Sequence, residues 1–159
     1  MKKLVIIRHA KAIHQTGYVD FERPLTPNGL HDAAIMAGRL KENGEVPQML
    51  VSSPALRTIS TANIFSQHLN IPAAEEIKGI YEADRDDLVE VVAELPDNID
   101  CIGLVGHNPG LGQLLYYFSG AAQDVPTCAV AVIEFDTKVW ASVISNSGKL
   151  IYYDYPKNH

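Results

Sequence analysis

The stretch Leu-Val-Ile-Ile-Arg-His-Ala-Lys-Ala, from Leu4 to Ala12, decides the fold class of this chain. Four apolar, mostly β-branched residues in a row are typical of a strand that is buried on both faces. The run stops at Arg8 and His9, which place a cation beside an imidazole. Ligands of open α/β sheets bind at the carboxyl ends of the strands, so this pair marks a candidate site. Taken alone, the pair fits equally well a strand that simply ends in solvent.

Length, composition and charge are those of an ordinary globular protein. With 159 residues, 47% hydrophobic and 20% charged, the chain is expected to form a single domain over residues 1–159. No apolar run approaches the ~20 residues of a membrane span. The run after Lys3 is too short for a signal peptide, so we expect a cytoplasmic protein that does not engage membranes. A net charge of −6 without a basic run argues against nucleic acid as a partner.

Strand and helix patterns alternate after the first strand. Three pairs, Thr26-Pro27, Ser53-Pro54 and Asn108-Pro109, each combine a capping side chain with a proline, which predicts a helix start. A further helix is predicted over Asp86–Leu95. Apolar runs predict the remaining strands, which are Met49–Ser52, Ala74–Lys78, Cys101–Val105, Thr127–Phe135, Val139–Ser145 and a short one at Leu150–Tyr155.

The order of these elements predicts the architecture. Alternating strands and helices favour a three-layer α/β/α sandwich around a mostly parallel sheet of about six strands. Near the end of the chain, Thr127–Phe135 and Val139–Ser145 flank a short polar turn and are expected to form a β-hairpin. That hairpin would add one antiparallel strand to the sheet.

Three of the predicted strands lead directly into residues that suit phosphate. The first ends at Arg8 and His9, the second leads to Arg57 in the first turn of a helix, and the fourth delivers His107 just before another helix. Helix N-termini favour anions, and arginine forks match phosphoryl oxygens better than lysine does. Two arginines and two imidazoles that converge at one edge of the sheet therefore predict a phosphate pocket.

These motifs resemble those of a known family. Arg8-His9-Ala10, Ser53-Pro54-x-x-Arg57-x-x-x-Thr61-Ala62 and Gly106-His107-Asn108 are similar to the motifs of the histidine phosphatase superfamily, which has the phosphoglycerate-mutase-like fold. The loop Asp20-x-x-Arg23-Pro24-Leu25-Thr26-x-x-Gly29 and the short chain resemble the SixA branch of phosphohistidine phosphatases. The resemblance spans Leu4 to about Leu115, which is most of the chain.

The resemblance implies a role for each matching residue. It makes His9 the nucleophile that becomes phosphorylated, and it places Arg8, Arg57 and His107 on the phosphoryl oxygens. It puts Arg23 at the mouth of the pocket and Asn108 in contact with substrate. Glu82 stands where the family usually carries its general acid, although a surface carboxylate is an equally simple interpretation. The implied enzyme is a metal-independent phosphatase that needs no cofactor.

Several functions remain open at this level. The substrate class that the resemblance favours is phosphohistidine on a signalling protein, such as a histidine-containing phosphotransfer domain. A small phosphomonoester is the alternative substrate, and a non-catalytic phosphate-binding module is the alternative function. A mutase is disfavoured because the chain lacks room for the long insertions that enclose its substrate. A cysteine phosphatase is excluded because neither cysteine has an arginine six residues later.

Ala10 departs from the family pattern, which usually has glycine at this position. If the position required a positive φ, alanine there would be strained. Such strain would point to an inactive relative, whereas an unstrained Ala10 would be a mark of the subfamily.

Overall fold

A six-stranded sheet with two helices on each face forms the centre of the molecule. The computed structural model describes residues 1–159. The strands and helices, in chain order, are β1 (Lys2–Arg8), α1 (Pro27–Glu42), β2 (Met49–Ser52), α2 (Leu56–Leu69), β3 (Glu75–Glu76), α3 (Arg85–Ala93), β4 (Cys101–Gly106), α4 (Gly110–Ser119), β5 (Val130–Phe135) and β6 (Gly148–Asp154). The strand order is β3-β2-β4-β1-β5-β6, and only β5 runs opposite to the others. The predicted mixed sheet with one antiparallel strand is confirmed.

The apolar run of β1 fills both layers of the core. Successive side chains of a strand point to opposite faces, so Leu4 and Ile6 face one layer and Val5 and Ile7 face the other. All four are fully buried. The first pair packs with α3 and α4, and the second pair packs with α1 and α2. No helix combines the length and the apolarity that a membrane crossing requires.

The predicted helix starts differ in accuracy. At α1 the prediction is confirmed, because Pro27 is the first helical residue and the Thr26 hydroxyl accepts a hydrogen bond from the Gly29 N–H. The helices α2 and α4 begin slightly later than predicted, at Leu56 and Gly110. The polar side chains of Ser53 and Asn108 still accept backbone N–H groups there, and they are also engaged elsewhere, as described below.

The predicted hairpin is wrong in its second strand. The segment Val139–Ser145 forms no strand, because Trp140 is fully buried and begins a short 3-10 helix, Trp140–Ser142. The indole Nε1 of Trp140 donates to the Ile99 carbonyl (3.1 Å), and its backbone N–H donates to the Asp97 carboxylate (2.8 Å). The antiparallel partner of β5 is β6, which begins two residues before the range Leu150–Tyr155 that was predicted only as a last short strand.

Candidate active site

Strand pairing brings the two histidines together. The strands β1 and β4 are parallel neighbours with Arg8 opposite Gly106, so the next residues, His9 and His107, lie side by side. Their ring centroids are 5.5 Å apart. The His9 N–H donates to the Gly106 carbonyl (3.1 Å), which extends the ladder by one residue and fixes the position of His9.

Two arginines border the histidines. Arg8 is the last residue of β1 and is half-buried, while Arg57, the second residue of α2, is 6% exposed. Burial, together with the nearby charge of Arg57, lowers the pKa of Arg8. The smaller contribution, that of Arg57, shows that the two positive charges act on each other. An anion between them would relieve their repulsion.

His9 is a neutral imidazole with one free ring nitrogen. Its Nδ1 lies 2.7 Å from the carbonyl oxygen of Ala10, which can only accept, so Nδ1 carries the proton and Nε2 keeps a lone pair. Burial is the main cause that lowers the pKa of His9 to about 3, and the positive charges around the ring lower it further. The hydrogen bond to Ala10 acts in the opposite direction and raises the pKa, but by less. The imidazole is therefore uncharged at neutral pH.

His107 is oriented by Ser53. Its Nε2 lies 2.8 Å from the Ser53 hydroxyl oxygen, which also accepts the Ala55 N–H (3.3 Å). The Ser53 hydroxyl can donate its hydrogen to Nε2, and in that tautomer the ring proton of His107 is on Nδ1. Burial, and then the charge of Arg57, lower the pKa of His107 to about 4.

Three buried nitrogens of this cluster have no hydrogen-bond partner in the protein. They are Nε of Arg8, Nε of Arg57 and Nδ1 of His107. Buried polar groups of native proteins are nearly always paired, so three orphan donors in one cluster indicate a ligand that accepts hydrogen bonds. No three His, Cys, Asp or Glu side chains group so that they could hold a metal ion.

Asp20 connects the loop before α1 to the cluster. Its carbonyl accepts from Arg57 NH1 (2.8 Å), and its carboxylate accepts from Arg57 NH2 (3.1 Å) and from the Tyr81 hydroxyl (2.7 Å). Arg23 Nε donates to the other carboxylate oxygen (3.2 Å). The hydrogen bond from Tyr81 and the charges of the arginines lower the pKa of Asp20 to about 2. Arg23 therefore lies behind Asp20, one step further from the histidines than Arg57.

Asn108 and Glu82 are placed less centrally. The Asn108 amide donates to the Val125 carbonyl (2.7 Å), which also accepts from Arg8 NH1 (3.1 Å), and its oxygen accepts from the Gly112 N–H (3.1 Å). Asn108 thus pins the loop that holds Arg8. Glu82 is exposed in the loop before α3, and its carboxylate has no hydrogen bond to the protein. Their predicted roles stay predictions.

Ala10 is accommodated without strain. It is fully buried, and its φ is not among the positive values of the chain. Its N–H donates to the Thr61 hydroxyl (3.0 Å), which in turn donates to the Arg57 carbonyl (2.8 Å). Thr61 therefore ties the turn after β1 to α2, and the substitution of glycine by alanine costs no backbone energy.

The structure adds three residues to the predicted site. Ser53 and Asp20 belong to the sequence motifs, and their fixed spacing to Arg57 and Arg23 is the signal that could identify them. Tyr81 has no such signal, because an isolated tyrosine matches no motif. Its ring meets His107 edge-on, with centroids 5.7 Å apart, and contacts Phe21 in the same way at 5.2 Å.

Solved structures share this fold over nearly the whole chain. A candidate phosphohistidine phosphatase SixA from Nakamurella multipartitia superposes with a TM-score of 0.83 at 24% identity, covering 98% of this chain and 96% of that one. The protein histidine phosphatase SixA complexed with tungstate gives 0.82 at 26% identity, covering 98% of both chains. The neighbours confirm the predicted phosphoglycerate-mutase-like fold.

Sequence comparisons point to the same family. An uncharacterized protein of Mycobacterium tuberculosis, Rv1276c, is 28% identical and aligns over 95% of this chain and all of its own length. An uncharacterized chloroplastic protein of Arabidopsis thaliana, At3g52155, is also 28% identical, over 92% of this chain and 72% of its length. The model of the histidine phosphatase superfamily (branch 1) matches residues 4–99, more than half of the chain. The chain therefore belongs to the histidine phosphatase superfamily.

Proposed function

We propose that this protein is a phosphatase in which His9 takes the phosphoryl group from the substrate and water then removes it. One observation carries the proposal: a neutral imidazole with a free Nε2 lies within a cluster whose three buried, unpartnered nitrogens belong to Arg8, Arg57 and His107. A site for binding alone would need the donors but not the nucleophile.

In the first step, Nε2 of His9 forms a bond to phosphorus while the bond from phosphorus to the leaving group breaks. Nε2 can attack directly because the ring is neutral. Arg8 and Arg57 donate to the phosphoryl oxygens and stabilise the charge that spreads over them in the transition state. Nδ1 of His107 adds a further donor. These groups are already in place in the free protein, so little reorganisation is needed.

In the second step, water attacks phosphorus, the phosphorus–nitrogen bond breaks, and inorganic phosphate leaves. Both hydrogens of the water leave with the phosphate, His9 regains its lone pair on Nε2, and its proton stays on Nδ1, hydrogen-bonded to the Ala10 carbonyl, throughout. The same donors serve both steps because the phosphoryl oxygens occupy similar positions in each transition state.

The substrate that we propose is phosphohistidine on a protein. The similar SixA structure is named a protein histidine phosphatase and holds tungstate, an oxyanion like phosphate. Beside Asp20, the loop exposes Tyr18, Val19 and Phe21 by 46%, 62% and 41%. Exposed apolar side chains in one short segment are typical of a protein-binding surface. A small phosphomonoester would leave this surface unused.

Turnover and a His9 variant test the reaction. The wild type should hydrolyse p-nitrophenyl phosphate, and rapid quenching should trap a phosphoenzyme that is labile to acid and stable to alkali. His9→Ala should do neither but should still bind inorganic phosphate through the arginines. A flat trace for the wild type at high concentration would leave only the phosphate-binding module. Phosphorylated histidine-containing transfer domains, assayed beside sugar phosphates, test the substrate class.

Glu82 is proposed as the acid that protonates the leaving group, and the choice of substrate tests it. An alkoxide is a poor leaving group unless it is protonated as it departs. Nitrophenolate leaves readily without a proton, and an imidazole can be protonated before it departs. Glu82→Gln should therefore slow single-turnover cleavage of an alkyl phosphate strongly and the other two little. Equal slowing of all three would assign Glu82 a role in the shape of the loop instead.

A further inference from the structure

Arg57 depends on one residue for all of its side-chain hydrogen bonds within the protein. NH1 donates to the carbonyl of Asp20 and NH2 donates to its carboxylate. Both bonds use the far end of the guanidinium. Nε and one hydrogen on each terminal nitrogen are left over, and the buried Nε has no partner. The hydrogens that Asp20 does not use therefore have no acceptor within the protein, and a guanidinium fork suits the oxygens of a phosphoryl group.

Asp20 is itself held in place from three directions. Its carboxylate accepts from the Tyr81 hydroxyl and from Arg23 Nε, and its carbonyl accepts from the Arg23 N–H (3.2 Å) in the short 3-10 helix Asp20–Glu22. Tyr81 is further packed edge-on against Phe21. Tyr81 and Arg23 thus restrain a carboxylate that is itself half exposed.

Without Asp20, packing alone and no hydrogen bond would hold the Arg57 side chain beside Arg8. The two positive charges repel, and this repulsion adds to burial in lowering the pKa of Arg8. A long, flexible arginine with no acceptor would turn its charge toward solvent and away from the other cation. The entropy and the repulsion would then have to be overcome each time a phosphoryl group binds.

We propose that Asp20 is a positioning residue, whose carboxylate and carbonyl clamp NH1 and NH2 of Arg57 so that the guanidinium is set for the phosphoryl group before substrate arrives. The proposal rests on the proposed function, since it concerns how the same pocket is organised. It assigns the first residue of the Asp20-x-x-Arg23 motif a role in the reaction, and it makes Tyr81 and Arg23 supports of that residue.

The sign of the effect separates positioning from simple charge. Asp20 carries a negative charge next to an anion pocket, so its field by itself weakens phosphate binding. If Asp20 acted mainly through this field, or competed with phosphate for Arg57, its removal would tighten phosphate binding. If it positions Arg57, its removal weakens both phosphate binding and turnover.

The test compares Asp20→Ala with Glu22→Ala. Glu22 is a matched control because it lies in the same short helix, is exposed and has no side-chain hydrogen bond. We expect Asp20→Ala to lower kcat/KM for p-nitrophenyl phosphate ~10- to 100-fold, in the range that small misplacements of catalytic groups cost. Inorganic phosphate, as a competitive inhibitor, should bind this variant more weakly. Glu22→Ala should match the wild type in both measurements.

A second measurement ties the effect to Arg57. In an Arg57→Ala background, Asp20→Ala should cause little further loss, because the group that it positions is gone. Additive losses, or phosphate that binds Asp20→Ala as tightly as the wild type, would overturn the proposal. Calorimetric titration of inorganic phosphate needs neither turnover nor the Arg57 variant. It therefore decides the role of Asp20 even if the wild type proves to be a non-catalytic binder.

Discussion

The burial of a neutral His9 should make the folded protein sensitive to acid, and the variant His9→Asn should remove that sensitivity. Asparagine keeps an N–H close to the position of Nδ1, so the hydrogen bond to the Ala10 carbonyl can persist while the titrating ring is lost. His9 is 7% exposed, so a proton on its ring in the folded state would lack solvation.

The size of the effect follows from the pKa of His9, which falls from 6.5 to about 3 on folding. Between these values the unfolded chain binds the proton more readily, so stability is lost as the pH falls below about 6.5. At about pH 4.5 the folded ring is still neutral and the unfolded one is charged. The difference of ~2 pH units corresponds to ~2.7 kcal/mol in the free energy of unfolding.

Urea unfolding at about pH 7 and about pH 4.5, in phosphate-free buffer, measures this difference. Between the two conditions, the wild type should lose ~2 to 3 kcal/mol more than His9→Asn, because contributions from carboxylates cancel in the comparison. His31→Asn, which removes an exposed imidazole on α1, should behave as the wild type does. Equal losses for wild type and His9→Asn would refute the buried neutral nucleophile.

Three further outcomes follow from the same contacts. Arg57→Ala should lower kcat on a small phosphomonoester more than Arg23→Ala, since Arg57 borders the histidines and Arg23 lies behind Asp20. Losing one oriented donor costs ~3 kcal/mol of transition-state stabilisation. The opposite ranking in steady-state assays would contradict these roles. Activity should survive EDTA because arginines supply the positive charge, so recovery by added Mg²⁺ after a loss would count against the mechanism. Gly29→Ala should lower the melting temperature and the activity together, because the added Cβ would clash with the carbonyl oxygen of Lys11 in the turn after His9. An unchanged melting temperature would contradict this steric clash.

The clamp around Arg57 could not be read from the sequence. Asp20 and Arg57 are 37 residues apart, and Tyr81 is 61 residues from Asp20. Nothing local brings these side chains together, since each comes from a loop or helix end whose position depends on the packing of the whole sheet. The motif spacing singled out Asp20 but left its partner unknown.

The second strand of the predicted hairpin failed for a similar reason. Val139–Ser145 and Gly148–Asp154 both carry enough apolar residues to pair with β5, and local pattern alone does not choose between them. The choice was made by Trp140, whose indole is buried in the core and donates to the Ile99 carbonyl, while its backbone N–H donates to the Asp97 carboxylate.

The sequence by itself determined the sheet and the edge of the sheet on which the candidate site lies. Apolar runs identify parallel strands, whose carboxyl ends must share one edge, so Arg8, His9, Arg57 and His107 were brought together by topology alone. What the tertiary structure decided was the chemical state of those groups. Burial keeps both imidazoles neutral, Ser53 orients His107 from another strand end, and the distant loop of Asp20 holds the arginine fork. Protonation and orientation depend on solvent exclusion and on neighbours, and neither exists until the chain has folded.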